Sequence, residues 1–173
     1  MDRRDFLKTV AIAGAAMTIQ RSEAMEVLTQ AVNNTGKPDL VAVMGGEPEV
    51  MFQRAITELG GMKQFVKPGQ KVVVKPNIGW DKVPELAGNT NPKLVAEIVK
   101  QCFAAGAKEV TVFDHTCDDW QKCYKNSGIE AAAKAAGAKV MPAHLESYYR
   151  SVDLPKGKNL KKAKIHEAIL NSD

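Results

Sequence analysis

The chain has 173 residues, 45% hydrophobic and 25% charged, with 24 basic against 20 acidic residues for a net charge of +4. This is ordinary globular usage, which excludes disordered, collagenous and low-complexity classes, and the length favours one domain. The mild charge and 6% aromatic content argue against nucleic acid as a partner, and three cysteines are too few for a disulfide scaffold or a cysteine-only cluster.

The first residues read as an address. Asp2-Arg3-Arg4-Asp5-Phe6-Leu7-Lys8 precedes a weakly apolar run from Thr9 to Met17. Paired arginines, then Phe-Leu-Lys, then such a run resemble a twin-arginine export signal, and only Asp2 departs from the usual pattern. The run is shorter than the roughly 20 apolar residues of a spanning helix. Ser22-Glu23-Ala24 offers a small-x-small cleavage site. On this reading 1–24 is a signal peptide, 25–38 a linker or short helix, and 39–173 an α/β domain. The twin-arginine translocase is then a transient partner, and the destination is the periplasm or cell envelope. Export in the folded state suits proteins that load a cofactor or a partner in the cytoplasm.

Along the mature chain, Leu40 to Met44 has the length and composition of a strand and is closed by Gly45-Gly46. Apolar residues at Val50, Met51, Ala55, Ile56 and Leu59 predict a helix ended by Gly60-Gly61. Lys71 to Lys75 is a β-branched strand, followed by a long polar loop to Asn91. Asn91 and Pro92 are an N-cap and a first helical position. That helix runs to Ala105, with Leu94, Val95, Ile98, Cys102 and Ala105 on one face. Val110 to Phe113 is the next strand, and a short helix lies around Trp120 to Lys125. Ser127 and Glu130 form a capping box for an Ala-rich helix to Ala136, and a strand starts at Lys139.

Ala-Ala-Gly-Ala-Lys occurs at 104–108 and again at 135–139, each time between a helix and a strand. This rhythm predicts an α/β fold with a mostly parallel sheet flanked by helices. The loops after Lys75 and Phe113 then meet at one sheet edge, where open α/β sheets bind ligands. Tyr148 to Leu154 reads as a further, exposed strand. The lysine-rich stretch Pro155 to Lys164 reads as a solvated basic face, with contact to anions or lipid headgroups as the sharper alternative. Ile165 to Leu170 reads as a helix, and Asn171-Ser172-Asp173 as a turn.

Two loops carry the chemistry. In the first, Lys75, Asn77, Asn89, Thr90 and Asn91 suggest an anion cradle at a helix N-terminus. It is not a phosphate loop of the Gly-x4-Gly-Lys-Ser/Thr type. The second holds Asp114, His115, Cys117, Asp118, Asp119 and Cys123. His115, Cys117 and Cys123 are candidate ligands of a divalent metal, though the spacing is not that of structural zinc. Cys117 and Cys123 also suit a disulfide in an oxidising compartment; the plain alternative is that Cys123 packs under the short helix while Asp118 or Asp119 caps it. His144 and His166 stand apart from this group, and Cys102 falls on an apolar helix face. No catalytic residue or reaction is assigned, since neither a Ser-His-Asp order nor a His-Glu-x-x-His motif is present.

Three features carry a family resemblance: Lys75-Pro76-Asn77 after a strand, Asn89-Thr90-Asn91-Pro92 opening a helix, and Ala104 to Val110 leading to Asp114. With them the chain resembles the family of the domain of unknown function numbered 362, over roughly Leu40 to Asp173. Phe113 to Ile129 is similar to its exported, twin-arginine branch. The resemblance implies a redox neighbourhood, because members are sometimes fused to ferredoxin-like iron–sulfur modules. No Cys-x2-Cys-x2-Cys run is present, so this chain is not expected to hold an iron–sulfur cluster by itself. The resemblance also implies that the α/β domain is incomplete at its C-terminus, because members continue into a Lys-His-His-bearing region.

The first functional expectation is therefore an exported protein that binds a metal or a small anion and is linked to iron–sulfur redox metabolism. Lys75 would hold an anion, and His115 would act as ligand or general acid–base. The alternative is a non-catalytic accessory module that docks an iron–sulfur or other redox partner through Trp80, Trp120, Tyr148 and Tyr149. A third is a truncated remnant without activity.

Overall fold

A computed structural model describes residues 38–173. The export signal, and all of the 25–38 linker but its last residue, lie outside the described residues. Three strands form a parallel sheet in the order β1-β2-β3: β1 (Lys71–Val74), β2 (Glu109–Val112) and β3 (Lys139–Val140). Val72 pairs with Val110, Val74 with Val112, and Val112 with Val140. The expected α/β class and parallel sheet are observed.

The strands alternate, and the alternation makes two cores. Val72, Val74, Val110, Val112 and Val140 turn towards the helices. Val73, Phe113 and Met141 turn to the opposite face. On the helical side pack α2 (Pro92–Ala104), α3 (Trp120–Asn126) and α4 (Ile129–Ala135). Val95, Val99, Val112 and Ile129 are fully buried there. Each such side chain is worth about 1.5–3 kcal/mol relative to exposure. A further helix, α1 (Pro48–Glu58), packs on α2, where Gln53 Nε2 donates to the buried Glu97 carboxylate at 2.9 Å.

The helix ends are set locally. The Asn91 side chain accepts from Lys93 N–H at 2.9 Å and caps α2 as expected, with Pro92 at its first position. Both copies of Ala-Ala-Gly-Ala-Lys are Schellman ends. Gly106 N–H donates to Phe103 O and Ala107 N–H to Cys102 O; Gly137 N–H donates to Lys134 O and Ala138 N–H to Ala133 O. Gly106 stands at φ +106°, and an added Cβ would lie 3.0 Å from Pro68 Cα.

Some expectations are corrected. Leu40 to Met44 forms no strand, and Leu40 and Met44 are 80% and 90% exposed; an apolar run becomes a strand only where a neighbour can pair with it. Ser127 does not form the expected capping box: its Oγ accepts from Ile129 N–H, while Gly128 is the N-cap of α4. The stretch predicted as a solvated segment and then a helix instead contains a strand, β5 (Lys162–His166). It pairs antiparallel with β4 (Tyr149–Asp153), and only then does the one-turn helix α5 (Glu167–Leu170) follow. In β5 Ala163, Ile165 and Lys162, Lys164 alternate with the period of a strand, and the lysine heads stay in water.

Candidate functional site at the C-terminal rim of the sheet

The chain leaves β1 at Lys75 and β2 at Phe113-Asp114, both at the C-terminal edge of the parallel sheet. Asp114 joins the two loops. Its carboxylate is 4% exposed, lies 2.6 Å from Lys75 Nζ, and accepts from Ile78 N–H at 2.8 Å. The Gly79 carbonyl accepts from Cys117 N–H at 2.9 Å and Asp118 N–H at 3.1 Å. Asp118 in turn accepts from Asp81 N–H at 3.0 Å. The expected meeting of the loops is therefore observed, with Asp114 as the buried clamp.

The polar side chains expected to form the cradle make hydrogen bonds within the chain. Asn77 N–H donates to Thr90 Oγ1 and its amide to Gly88 O. Asn89 accepts from Trp80 N–H and donates to Trp80 O. Asn91 caps α2. Asn77, Asn89 and Thr90 thus pair with the loop's own backbone, and Asn91 with the first turn of α2, which fixes the loop's path. Lys75 stays 60% exposed and presents its charge at the rim.

In the second loop His115 and Cys117 are exposed on the rim, whereas Cys123 faces the core from α3. The Cys123 thiol is directed at the Gly79 carbonyl, 3.6 Å away. Burial pushes the Cys123 thiol up from its ordinary range, and Cys102 likewise. The structure does not bring His115, Cys117 and Cys123 into one ligand set, and among the described residues no three histidine, cysteine or acidic side chains gather as a metal site. All three cysteines are free thiols.

Sequence reasoning missed an aromatic belt beside this rim. The Tyr124 hydroxyl accepts from Asp114 N–H at 2.9 Å, and its one proton has the carbonyls of Asp114 and Met141 within reach at 2.9 and 3.0 Å, so it ties β2 to β3. Burial pushes its phenol up to about 12. His166 is buried and stacks on Phe113 with centroids 4.1 Å apart. Its Nε2 faces Pro142 O, and its Nδ1 accepts from Ala168 N–H, capping α5. His144 stacks on Trp120 at 4.5 Å and stays exposed, and Tyr149 stands 6.4 Å from His115. One signal could have placed His144: it follows β3 closely, so it emerges at the same edge as Lys75 and His115. Of the four expected contact residues only Trp80 is substantially exposed, at 45%.

Thylakoid-associated protein sll1697 of Synechocystis sp. is 42% identical to the chain over 50 residues, which are 29% of this chain and 16% of that protein. No solved structure matches. A family model described as Domain of unknown function (DUF362) matches residues 72–173, from the second residue of β1 through the rim and the hairpin. That is more than half of the chain, which therefore belongs to the DUF362 family.

Proposed function

We propose that the chain is a ligand-binding protein that takes a small anion on the C-terminal rim, with Lys75 supplying the charge and His115 and His144 flanking it. In this reading it belongs to the exported, twin-arginine branch of the family, resides in the cell envelope, and works beside an iron–sulfur or other redox partner. One observation carries the proposal. Asp114 bonds to both Lys75 and Ile78 N–H while Lys75, His115 and Cys117 stay exposed, so the backbone that carries the exposed groups is ordered before any ligand arrives. Such prior ordering lowers the entropic cost of binding.

His115 and Cys117 alone do not fit a closed divalent-metal site, which needs three or four protein ligands. No step is therefore assigned to a metal. Equilibrium dialysis of inorganic phosphate and of zinc chloride against the purified chain tests the choice. Saturable phosphate binding that falls about tenfold or more in Lys75→Gln is expected. Stoichiometric zinc lost in His115→Ala, with no phosphate bound, would replace the anion by a metal.

A second reading has its own observation. Trp80, Val83 and Leu86, in the first loop, are 45%, 46% and 64% exposed. Clustered exposed apolar side chains suit docking of a protein partner, which is the accessory-module alternative. Crosslinking in cells that captures a redox protein through this loop favours it, and recovery of monomer alone counts against it.

A further inference from the structure

The hairpin of β4 and β5 ends in a basic tip with an apolar point, and neither feature is used by the rim. No acidic residue occurs between Asp153 and Glu167, while Lys156, Lys158, Lys161, Lys162 and Lys164 fall in that interval. The tip has a defined shape. Leu154 N–H donates to Lys161 O at 2.8 Å, Gly157 N–H donates to Leu154 O at 3.0 Å, and the Lys161 ammonium donates to Gly157 O at 2.7 Å.

Charge is distributed unevenly along the hairpin. On the stem, Lys162 pairs with Asp153 at 3.5 Å, Arg150 with Glu167 at 3.0 Å, and Lys164 with Glu146. At the tip, Lys156 and Lys158 are exposed, and neither has a carboxylate within ion-pair distance among the described residues. Between them and the stem stands Leu160, 60% exposed.

We propose that this tip is a docking surface for an anionic phospholipid bilayer, with the lysines meeting headgroups and Leu160 entering the interfacial region. Charge complementarity selects an anionic surface. The exposed leucine among lysines favours a bilayer over a free anion or a purely charged acidic chain, because it adds an apolar term that acyl chains reward. No described helix is long and apolar enough to cross a membrane.

Co-sedimentation of the full chain with vesicles tests this. Vesicles containing phosphatidylglycerol are compared with vesicles of pure phosphatidylcholine. Each lysine near an anionic surface is worth about fivefold in partition, so Lys156→Gln with Lys158→Gln lowers binding about twenty-five-fold. Leu160→Asn lowers it about tenfold, and molar salt removes the charge-dependent part. Inorganic phosphate at the ionic strength of a chloride control does not compete. Lys75→Gln leaves vesicle binding unchanged, which separates this proposal from the rim. Equal partition of the parent and the double lysine variant would overturn it. So would capture on immobilised polyglutamate without binding to vesicles, or displacement by free phosphate.

Discussion

Replacing Asp114 tests how the two loops are held. The carboxylate is 4% exposed and serves two groups of different cost. The Ile78 N–H, on a fully buried residue, has it as its partner at 2.8 Å. The Lys75 ammonium is 60% exposed and rehydrates when the carboxylate is removed. Leaving a buried N–H unpaired costs about 1–3 kcal/mol, whereas a partner this exposed contributes about 0.2–1 kcal/mol. Asp114→Ala should therefore destabilise the chain by about 2–3 kcal/mol. Asp114→Asn keeps an acceptor for Ile78 and should cost about 1 kcal/mol, close to Lys75→Gln. Urea denaturation followed by tryptophan fluorescence and far-ultraviolet circular dichroism gives the ordering, read from midpoints at an unchanged slope. Asp114→Asn as damaging as Asp114→Ala would refute the reasoning, because charge and not the acceptor would then be holding the loops.

Four further outcomes follow from the structure. Tyr124→Phe should cost about 1–2 kcal/mol, since it deprives buried backbone groups of a partner. The same phenol gives an alkaline signature: its folded pKa of about 12 lies above the ordinary value of 10, so the unfolded chain binds fewer protons between them. The associated stability is complete below pH 10 and is lost as pH rises through about 12; phenolate absorbance during alkaline titration, compared with Tyr124→Phe, checks it. Iodoacetamide should modify the exposed Cys117 quickly in the native chain and reach the buried Cys102 and Cys123 only in denaturant, by mass spectrometry. Gly106→Ala should cost about 1–3 kcal/mol, because φ +106° and the 3.0 Å approach to Pro68 Cα both oppose a side chain; thermal denaturation measures it.

The features legible in the sequence are those that local chemistry decides. Asn91-Pro92 starts α2, and the repeated Ala-Ala-Gly-Ala-Lys ends α2 and α4, through bonds that span a few residues. The order of β-branched runs and glycine-ended helices was enough to put Lys75 and Asp114 at one edge. Features that depend on distant partners were harder to read. Strand β5 is stabilised by pairing with β4, so its lysines gave the impression of a free solvated segment. Leu40 to Met44 has strand composition without a pairing neighbour. Asn77 and Asn89 are rich in hydrogen-bonding groups, but only the path of the loop reveals that its own carbonyls and amides use them. The plain reading of the second loop holds: Cys123 packs under α3, Asp119 caps that helix, and Cys117 stays in water.

The most direct test is a phosphate titration of the isotopically labelled chain, followed by backbone amide shifts. The amides of Lys75, of residues 77–80 and of residues 114–118 should move together and fit one dissociation constant. In Asp114→Ala the response should weaken in both loops at once. Shifts confined to a single loop, or two unrelated constants, would contradict a shared rim.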